Sequence, residues 1–305
     1  MQTNVSRNAA DARARWAALA VSMVRAMRPK QWLKNLLVFA APAAAGIIAQ
    51  GPVLGRTAAA FVAFCLASSA VYLVNDVVDA DHDRVHPAKC CRPIAAGEIS
   101  TRLALVSAGV LLVLGEAAGA WLGYRFSVVL TLYVALVLAY TLWLKRVLVA
   151  DIGIVAAGFV LRAIAGGVAT GVEDSEWFLL LVSLGALFVV TGKRYADVQV
   201  TPDAGARRNA TPQYGGPFLL YFALVLAAAS VAAYVLWVFD SSGHSPGLWT
   251  PLSIAPFAVA MGRYAYLVAA KKGGIPEDLF TRDRLLVVAV LAWLLLYGGG
   301  IYARM

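Results

Sequence analysis

Residues 57–83 read TAAAFVAFCLASSAVYLVNDVVDADHD. The run is uncharged from Thr57 to Asn75, long enough to cross a hydrocarbon core about 30 Å thick as an α-helix. Carboxylates then arrive abruptly: Asn75, Asp76, Asp79 and Asp83 stand at i, i+1, i+4 and i+8. On a helix, Asp76, Asp79 and Asp83 share one face. Stacked carboxylates repel one another and destabilise the fold unless a cation intervenes. Hard oxygen ligands at this density suit Mg²⁺, which keeps several waters and shares its shell with substrate phosphate. A merely solvated acidic helix end usually has interspersed lysines, and it rarely grows out of an apolar membrane helix. Ionisable groups at membrane depth are functional by default. Asp81 and His82 fall off that face and serve as support.

The rest of the chain repeats the apolar half of this pattern. Nine apolar segments, about 33–50, 57–80, 101–120, 126–144, 149–171, 176–195, 216–239, 250–270 and 284–302, predict an all-α polytopic bundle of about nine transmembrane helices. Spanning helices satisfy their own backbone hydrogen bonds, which is why helices rather than open sheets are expected. Residues 1–305 read as a single integral membrane domain. Residues 1–28, with Arg7, Arg13 and Arg15 and no long apolar core, read as a cytoplasmic amphipathic surface helix rather than a cleavable signal peptide. With the N-terminus in the cytoplasm, 21 of the 26 Lys and Arg residues fall on the cytoplasmic side, and Arg56, Arg125 and Arg304 fall outside. The positive-inside rule therefore predicts a multi-pass protein of the plasma (inner) membrane. Its long polar connections, and so its active site, face the cytoplasm.

The composition, 61% hydrophobic and 14% charged, excludes a soluble domain of ordinary make-up. The net charge of +9 sits in membrane loops, so anionic lipid and topology account for it and no nucleic acid is expected. Cys65, Cys90 and Cys91 have neither a zinc spacing nor the makings of a disulfide framework. His82 and His86 are four apart, but Pro87 follows at once, which argues against a helical His pair on a metal. A transporter would carry its charges near the midplane. Here nearly all the acidic residues lie at the cytoplasmic ends.

Further candidates line that side. In HPAKCCRPIAAGEIS (86–100), Lys89 and Arg92 lie one short loop past the carboxylates, where they could share a diphosphate with the metal. Loop topology explains Lys89 equally well, whereas contact is favoured for Arg92. In RPKQWLKNLLVF (28–39), Trp32 anchors at the interface. Arg28 and Lys30 meet lipid headgroups, while Lys34 and Asn35 reach a turn deeper than snorkelling requires. Arg162 stands about twelve residues into the fifth segment, among Gly158, Ala163, Gly166 and Gly167. A lone Arg at that depth costs about 3 kcal/mol or more unless it meets a partner or an anion. A structural Arg–Asp pair is the alternative. The small residues allow close helix packing, and the chain's small-residue faces also permit a homo-oligomer. TGKRYADVQVTPD (191–203) brings Lys193, Arg194, Tyr195 and Asp197 to the end of the sixth segment, and Tyr140 with Lys145 closes the fourth.

N-D-x-x-D-x-x-x-D after the second of nine helices resembles the UbiA superfamily of intramembrane prenyltransferases, over nearly the whole chain. That family holds Mg²⁺ on two Asp motifs. Its second is usually D-x-x-x-D, but here Asp197 is followed four positions later by Thr201, with Lys193 and Arg194 alongside. Fewer carboxylates and more fixed positive charge make the chain similar to one branch of the superfamily. Members of that branch move a 5-phosphoribosyl group from 5-phosphoribosyl 1-diphosphate (PRPP) to a polyprenyl phosphate, decaprenyl phosphate, for cell-wall arabinan. The resemblance implies that Asp76, Asp79 and Asp83 bind the donor diphosphate through Mg²⁺. It also implies that Lys89, Arg92, Arg162, Lys193 and Arg194 share the 5-phosphate and the leaving group, and that Lys34 holds either lipid phosphate or donor. Asn35, Asn75, Tyr140, Lys145, Tyr195 and Asp197 complete the expected substrate-binding set. The alternative activity within the same fold is prenyl transfer from a polyprenyl diphosphate to an aromatic acceptor.

Overall fold

The computed structural model describes residues 2–87, 89–144, 148–200, 216–241, 248–270 and 283–302, without the side chains of 2–13, 148–150, 200, 241 and 302. These residues form α1 (Gln2–Ala26), a 3₁₀ helix (Pro29–Phe39), α2 (Ala40–Ala44), α3 (Gly51–Val78), α4 (Ala80–Arg84), α5 (Thr101–Leu122) and α6 (Tyr124–Leu142). They continue with α7 (Leu148–Thr170), α8 (Glu176–Val200), α9 (Gly216–Ser241), α10 (Trp249–Leu252), α11 (Ile254–Ala269) and α12 (Arg284–Tyr302). Eight stretches among the described residues are long and apolar enough to cross a membrane, one for each expected segment after the first. The first, 33–50, is not a long α-helix. Pro29 and Pro42 each remove a backbone donor, Gly46 turns at φ 75°, and the chain there is 3₁₀ helix, short α2 and turn.

The chain divides into two compact units, residues 1–36 with 56–142, and residues 37–55 with 143–305. In the first unit, the 3₁₀ geometry decides what faces α3. Residues three apart eclipse in such a helix, so Trp32 and Asn35 share a side. Trp32 Nε1 donates to Ser69 Oγ at 3.0 Å, and Asn35 Nδ2 donates to Ser68 Oγ and Cys65 Sγ at 3.3 Å each. Ser69 in turn donates to the Met27 carbonyl at 3.2 Å. Gly115 of α5 lies against the α3 backbone at Ala63, and Phe64 meets Phe126 edge-on and Tyr133 at 5.2 Å on α6. The end of α1 is pinned to the 86–100 loop. Ser22 Oγ donates to Glu98 at 2.5 Å, and Arg25 reaches both Glu98 and the Cys91 carbonyl. Beneath them Ala26, Leu73, Ile94, Ile99 and Ala104 form a shared apolar core.

In the second unit, α8, α9, α11 and α12 pack around Phe188, Leu219, Tyr264, Val268 and Leu286. An aromatic cluster of Tyr234, Trp237, Phe257, Trp293 and Tyr297 is tied by polar edges, as buried Trp and Tyr require. Trp293 Nε1 donates to Tyr234 Oη at 2.8 Å, Tyr234 Oη lies 2.6 Å from Ser253 Oγ, and Tyr297 Oη donates to the Ala44 carbonyl. Gly166 of α7 lies directly on the Val38 carbonyl, where a Cβ has no room, and Gly167 lies on the Asp174 carboxylate. The small residues around Arg162 are thus used for close packing within the chain. Beside them is a cavity of about 390 Å³ lined by Ala41, Ala45, Asp174, Phe178, Trp237 and Tyr297. Asp174 Oδ1 is buried there without a hydrogen-bond partner, and burial pushes this carboxyl up to about 6.

Candidate active site

In the first unit, α3 carries its apolar face down to Val74 and then presents Asn75 and Asp76. The helix breaks at Asp79, but Asp79 N–H still bonds Asn75 O and Asp83 N–H bonds Asp79 O, both at 2.9 Å, so helical spacing passes through the junction into α4. Asp76, Asp79 and Asp83 are 3%, 6% and 1% exposed. Burial of three acids in one short stretch is costly unless cations or donors compensate. The compensation is two guanidiniums. Arg28 Nη2 donates to Asp76 Oδ1. Arg92 Nη1 bridges Asp76 Oδ1 at 3.2 Å and Asp83 Oδ2 at 2.6 Å, so these two carboxylates do share a face. The Asn75 side chain also hydrogen-bonds Asp76. Asp81 is exposed, pairs with Arg84 at 2.6 Å and lies off the face.

Arg28 corrects the sequence reading, which sent it to lipid headgroups. It stands at φ 54°, alone among the described non-glycine residues in having a positive φ. This backbone turn, between α1 and the 3₁₀ helix, brings its guanidinium 5.1 Å over the Tyr72 ring and onto Asp76. The neighbouring prolyl residue restricts it from the ordinary helical region. Lys34 points back along its own helix, donating to Gln31 Oε1 at 2.5 Å. Asn35 is fully buried, its amide engaged with Ser68 and Cys65. Lys89 and Tyr140 are half-buried, and Lys145 lies outside the described residues.

In the second unit, Arg194 is the hub. It donates to Asp151 Oδ1 at 2.5 Å and lies 3.5 Å from Asp197. Asp151 is buried at the start of α7, and the sequence reading passed over it. The detectable signal was an ionisable residue one turn into an apolar segment. Lys193 and Asp197 are exposed, whereas Tyr195 belongs to the apolar core with Phe188 and Tyr264. Arg162 is 5% exposed. Its Nη1 donates to the Gly158 carbonyl at 2.7 Å, and its guanidinium lies 5.8 Å from the Phe159 ring centre.

Among the described residues, no three His, Cys, Asp or Glu side chains converge as a ready-made metal cage. The donor chemistry nonetheless fits Mg²⁺, which takes one or two carboxylates and completes its shell with water and phosphate oxygens. The first unit offers carboxylate oxygens beside two forked guanidiniums, the side chains that match phosphate geometry.

The described residues are all-helical, and their Asp-bearing helix end fits the class of intramembrane transferases to which the family match assigns the chain. The chain belongs to the UbiA prenyltransferase family, whose model matches residues 36–287. Among curated relatives it is similar to the decaprenyl-phosphate phosphoribosyltransferase of Mycobacterium tuberculosis, 44% identical over 291 residues that cover 93% of this chain and 96% of that protein. The protein of the same name from Corynebacterium glutamicum is 44% identical over 90% of this chain and 85% of its own length. That of Mycolicibacterium smegmatis is 40% identical over 93% of each. Among solved structures, a UbiA homologue from Archaeoglobus fulgidus bound to GPP and Mg²⁺ aligns with a TM-score of 0.72 at 20% identity, covering 92% of this chain and 99% of that one. That likeness establishes the fold.

Proposed function

We propose that this integral membrane transferase moves the 5-phosphoribosyl group of PRPP onto decaprenyl phosphate, releasing diphosphate and making a lipid-linked precursor of cell-wall arabinan. The observation that carries this reading is 44% identity to a named decaprenyl-phosphate phosphoribosyltransferase along nearly the whole of both chains. The charge distribution supports it. At the end of α8, Asp197 has Arg194 at 3.5 Å and no second Asp four residues on, so fixed positive charge stands where a prenyl-diphosphate enzyme has a second acidic motif.

The reaction joins an anionic phosphate oxygen of the lipid to C1 of the ribose, while the C1–O bond to diphosphate breaks and the leaving group takes the electron pair. The nucleophile is already ionised, so no side chain has to remove a proton. This suits a site of Asp, Arg and Lys in which, among the described residues, no His is buried. Asp76, Asp79 and Asp83 would hold Mg²⁺, which supplies charge neutralisation for the departing diphosphate. Arg28 and Arg92 bind phosphate oxygens beside them. Arg162, Lys193 and Arg194 bind further phosphate oxygens of the substrates, and Lys34 swings from Gln31 to do the same. Fixed cations of this kind accelerate reaction by alignment and by charge already in place. We place the protein in the plasma membrane with these residues facing the cytoplasm, where PRPP is available.

Purified protein in detergent with Mg²⁺ tests the reading. Diphosphate release and a phosphoribosylated lipid are expected from PRPP with decaprenyl phosphate. Product formed instead from a polyprenyl diphosphate and 4-hydroxybenzoate would replace this function with ordinary prenyl transfer.

A further inference from the structure

The three acids of the first unit are not waiting as open ligands. Two of them are engaged by guanidiniums: Arg28 on Asp76, and Arg92 on both Asp76 and Asp83. The carboxylates are 3% and 2% exposed and fixed by helix, while both arginine side chains are 26% exposed and sit on the turn at Arg28 and the 86–100 loop. The mobile partners are therefore the cations. Asp76 and Asp83 with their two guanidiniums carry no net negative charge, too little to draw a strongly hydrated divalent ion out of water. A diphosphate changes this balance. It offers guanidinium forks a better acceptor than a carboxylate already shared between two arginines, and it brings oxygens of its own for the metal.

We propose that Arg28 and Arg92 form a latch that occupies Asp76 and Asp83 in the donor-free protein, so that the divalent ion enters only together with a diphosphate, to which both guanidiniums transfer. Resting on the phosphoryl-donor reading above, this assigns Arg28 a role beyond phosphate binding: it holds the metal carboxylates closed between turnovers. The turn at φ 54° has this consequence, because it keeps the guanidinium on Asp76 in a backbone conformation that the contact must stabilise. No covalent step is involved, only an exchange of carboxylate for phosphate at two guanidiniums and the reverse at the metal.

The test uses Mn²⁺ as a spin-visible probe of the full-length protein in detergent, titrated alone, with inorganic diphosphate and with PRPP. Wild type should bind Mn²⁺ at least tenfold more tightly when diphosphate is present. Arg28→Gln should bind Mn²⁺ alone at least tenfold more tightly than wild type does, and diphosphate should add correspondingly less. Arg92→Gln is read in the same way and stands in if Arg28→Gln does not fold. Equal Mn²⁺ affinity in wild type with and without diphosphate, or no gain in either variant, overturns the latch. If diphosphate tightens Mn²⁺ binding and the variants bind Mn²⁺ alone more tightly as expected, but PRPP has no effect, the latch stands and the phosphoribosyl donor is the part that fails.

Discussion

Arg194 has two separable duties, and a pair of substitutions divides them. Arg194→Met removes the cation facing Asp151, whose carboxylate is 4% exposed and 2.5 Å away, and strands that charge at the base of α7. Removing one partner of a fully buried pair costs about 3–5 kcal/mol. Arg194 is 27% exposed, so water reaches the site and the cost falls to about 2–3 kcal/mol. At roughly 2 °C per kcal/mol for a chain of this size, the melting midpoint in detergent should drop by about 4–6 °C. Adding Asp151→Leu replaces the ion pair with apolar side chains of similar volume, which is often neutral, and most of the lost stability should return. Turnover should not. If Arg194 binds a substrate phosphate, the double variant remains at least about 100-fold slower, equivalent to roughly 2.7 kcal/mol of transition-state stabilisation. The assay is diphosphate release at saturating donor beside a thermal melt on the same preparation. A double variant with restored stability and near-wild-type turnover would make Arg194 purely structural. A single variant as stable as wild type would refute the reasoning about the buried pair.

Asp76→Asn and Asp79→Asn should each lower turnover by at least about 1,000-fold while leaving the melt within a few degrees, and near-wild-type rates with Mg²⁺ present would remove the metal assignment. Gly166→Ala should cost about 1–3 kcal/mol, because its Cβ meets the Val38 carbonyl backbone and not a movable side chain; an unchanged melt would contradict that packing. Asp174 titrates in the folded protein at about 6, against a usual value of 3.8. The folded state therefore binds its proton more tightly than the unfolded one, and this contribution to stability, full below about pH 4, is lost as pH rises through 6. Asp174→Asn should flatten the decline, measured as melting midpoint against pH.

The sequence was most informative where physics leaves little choice. Eight of nine apolar segments became helices within a few residues, because a bilayer accepts little else. The shared face of Asp76 and Asp83 was legible for the same reason, since helical spacing is fixed, and Arg92 bridges the two as one loop residue can. What could not be read depends on contacts distant in sequence. Arg28 is 48 residues from Asp76, and its approach rests on a positive φ that no pattern announces. Asp151 and Arg194 are 43 residues apart and meet only because α7 and α8 pack together. Asn35 and Tyr195 look polar and functional in the sequence, yet both are enclosed, one by Ser68 and Cys65, the other by an apolar core.

The 3₁₀ segment bears on how many times the chain passes through the bilayer. Such a helix advances about 2.0 Å per residue, against 1.5 Å for an α-helix. Its eleven residues therefore reach about 22 Å, and the five of α2 carry the chain to roughly 30 Å, the thickness of the hydrocarbon layer. Counted by rise per residue alone, sixteen residues of this kind have the reach for which an α-helix needs about twenty. The economy decides parity. Eight crossings return a chain to the side where it began, whereas nine leave its ends on opposite sides. Were this segment not counted, the five cations from Arg7 to Arg28 would lie across the membrane from the loop that carries Arg92. Arg28 and Arg92 both bond Asp76, and a ninth crossing made by a tighter coil rather than a longer hydrophobic stretch is the parity that agrees with that meeting.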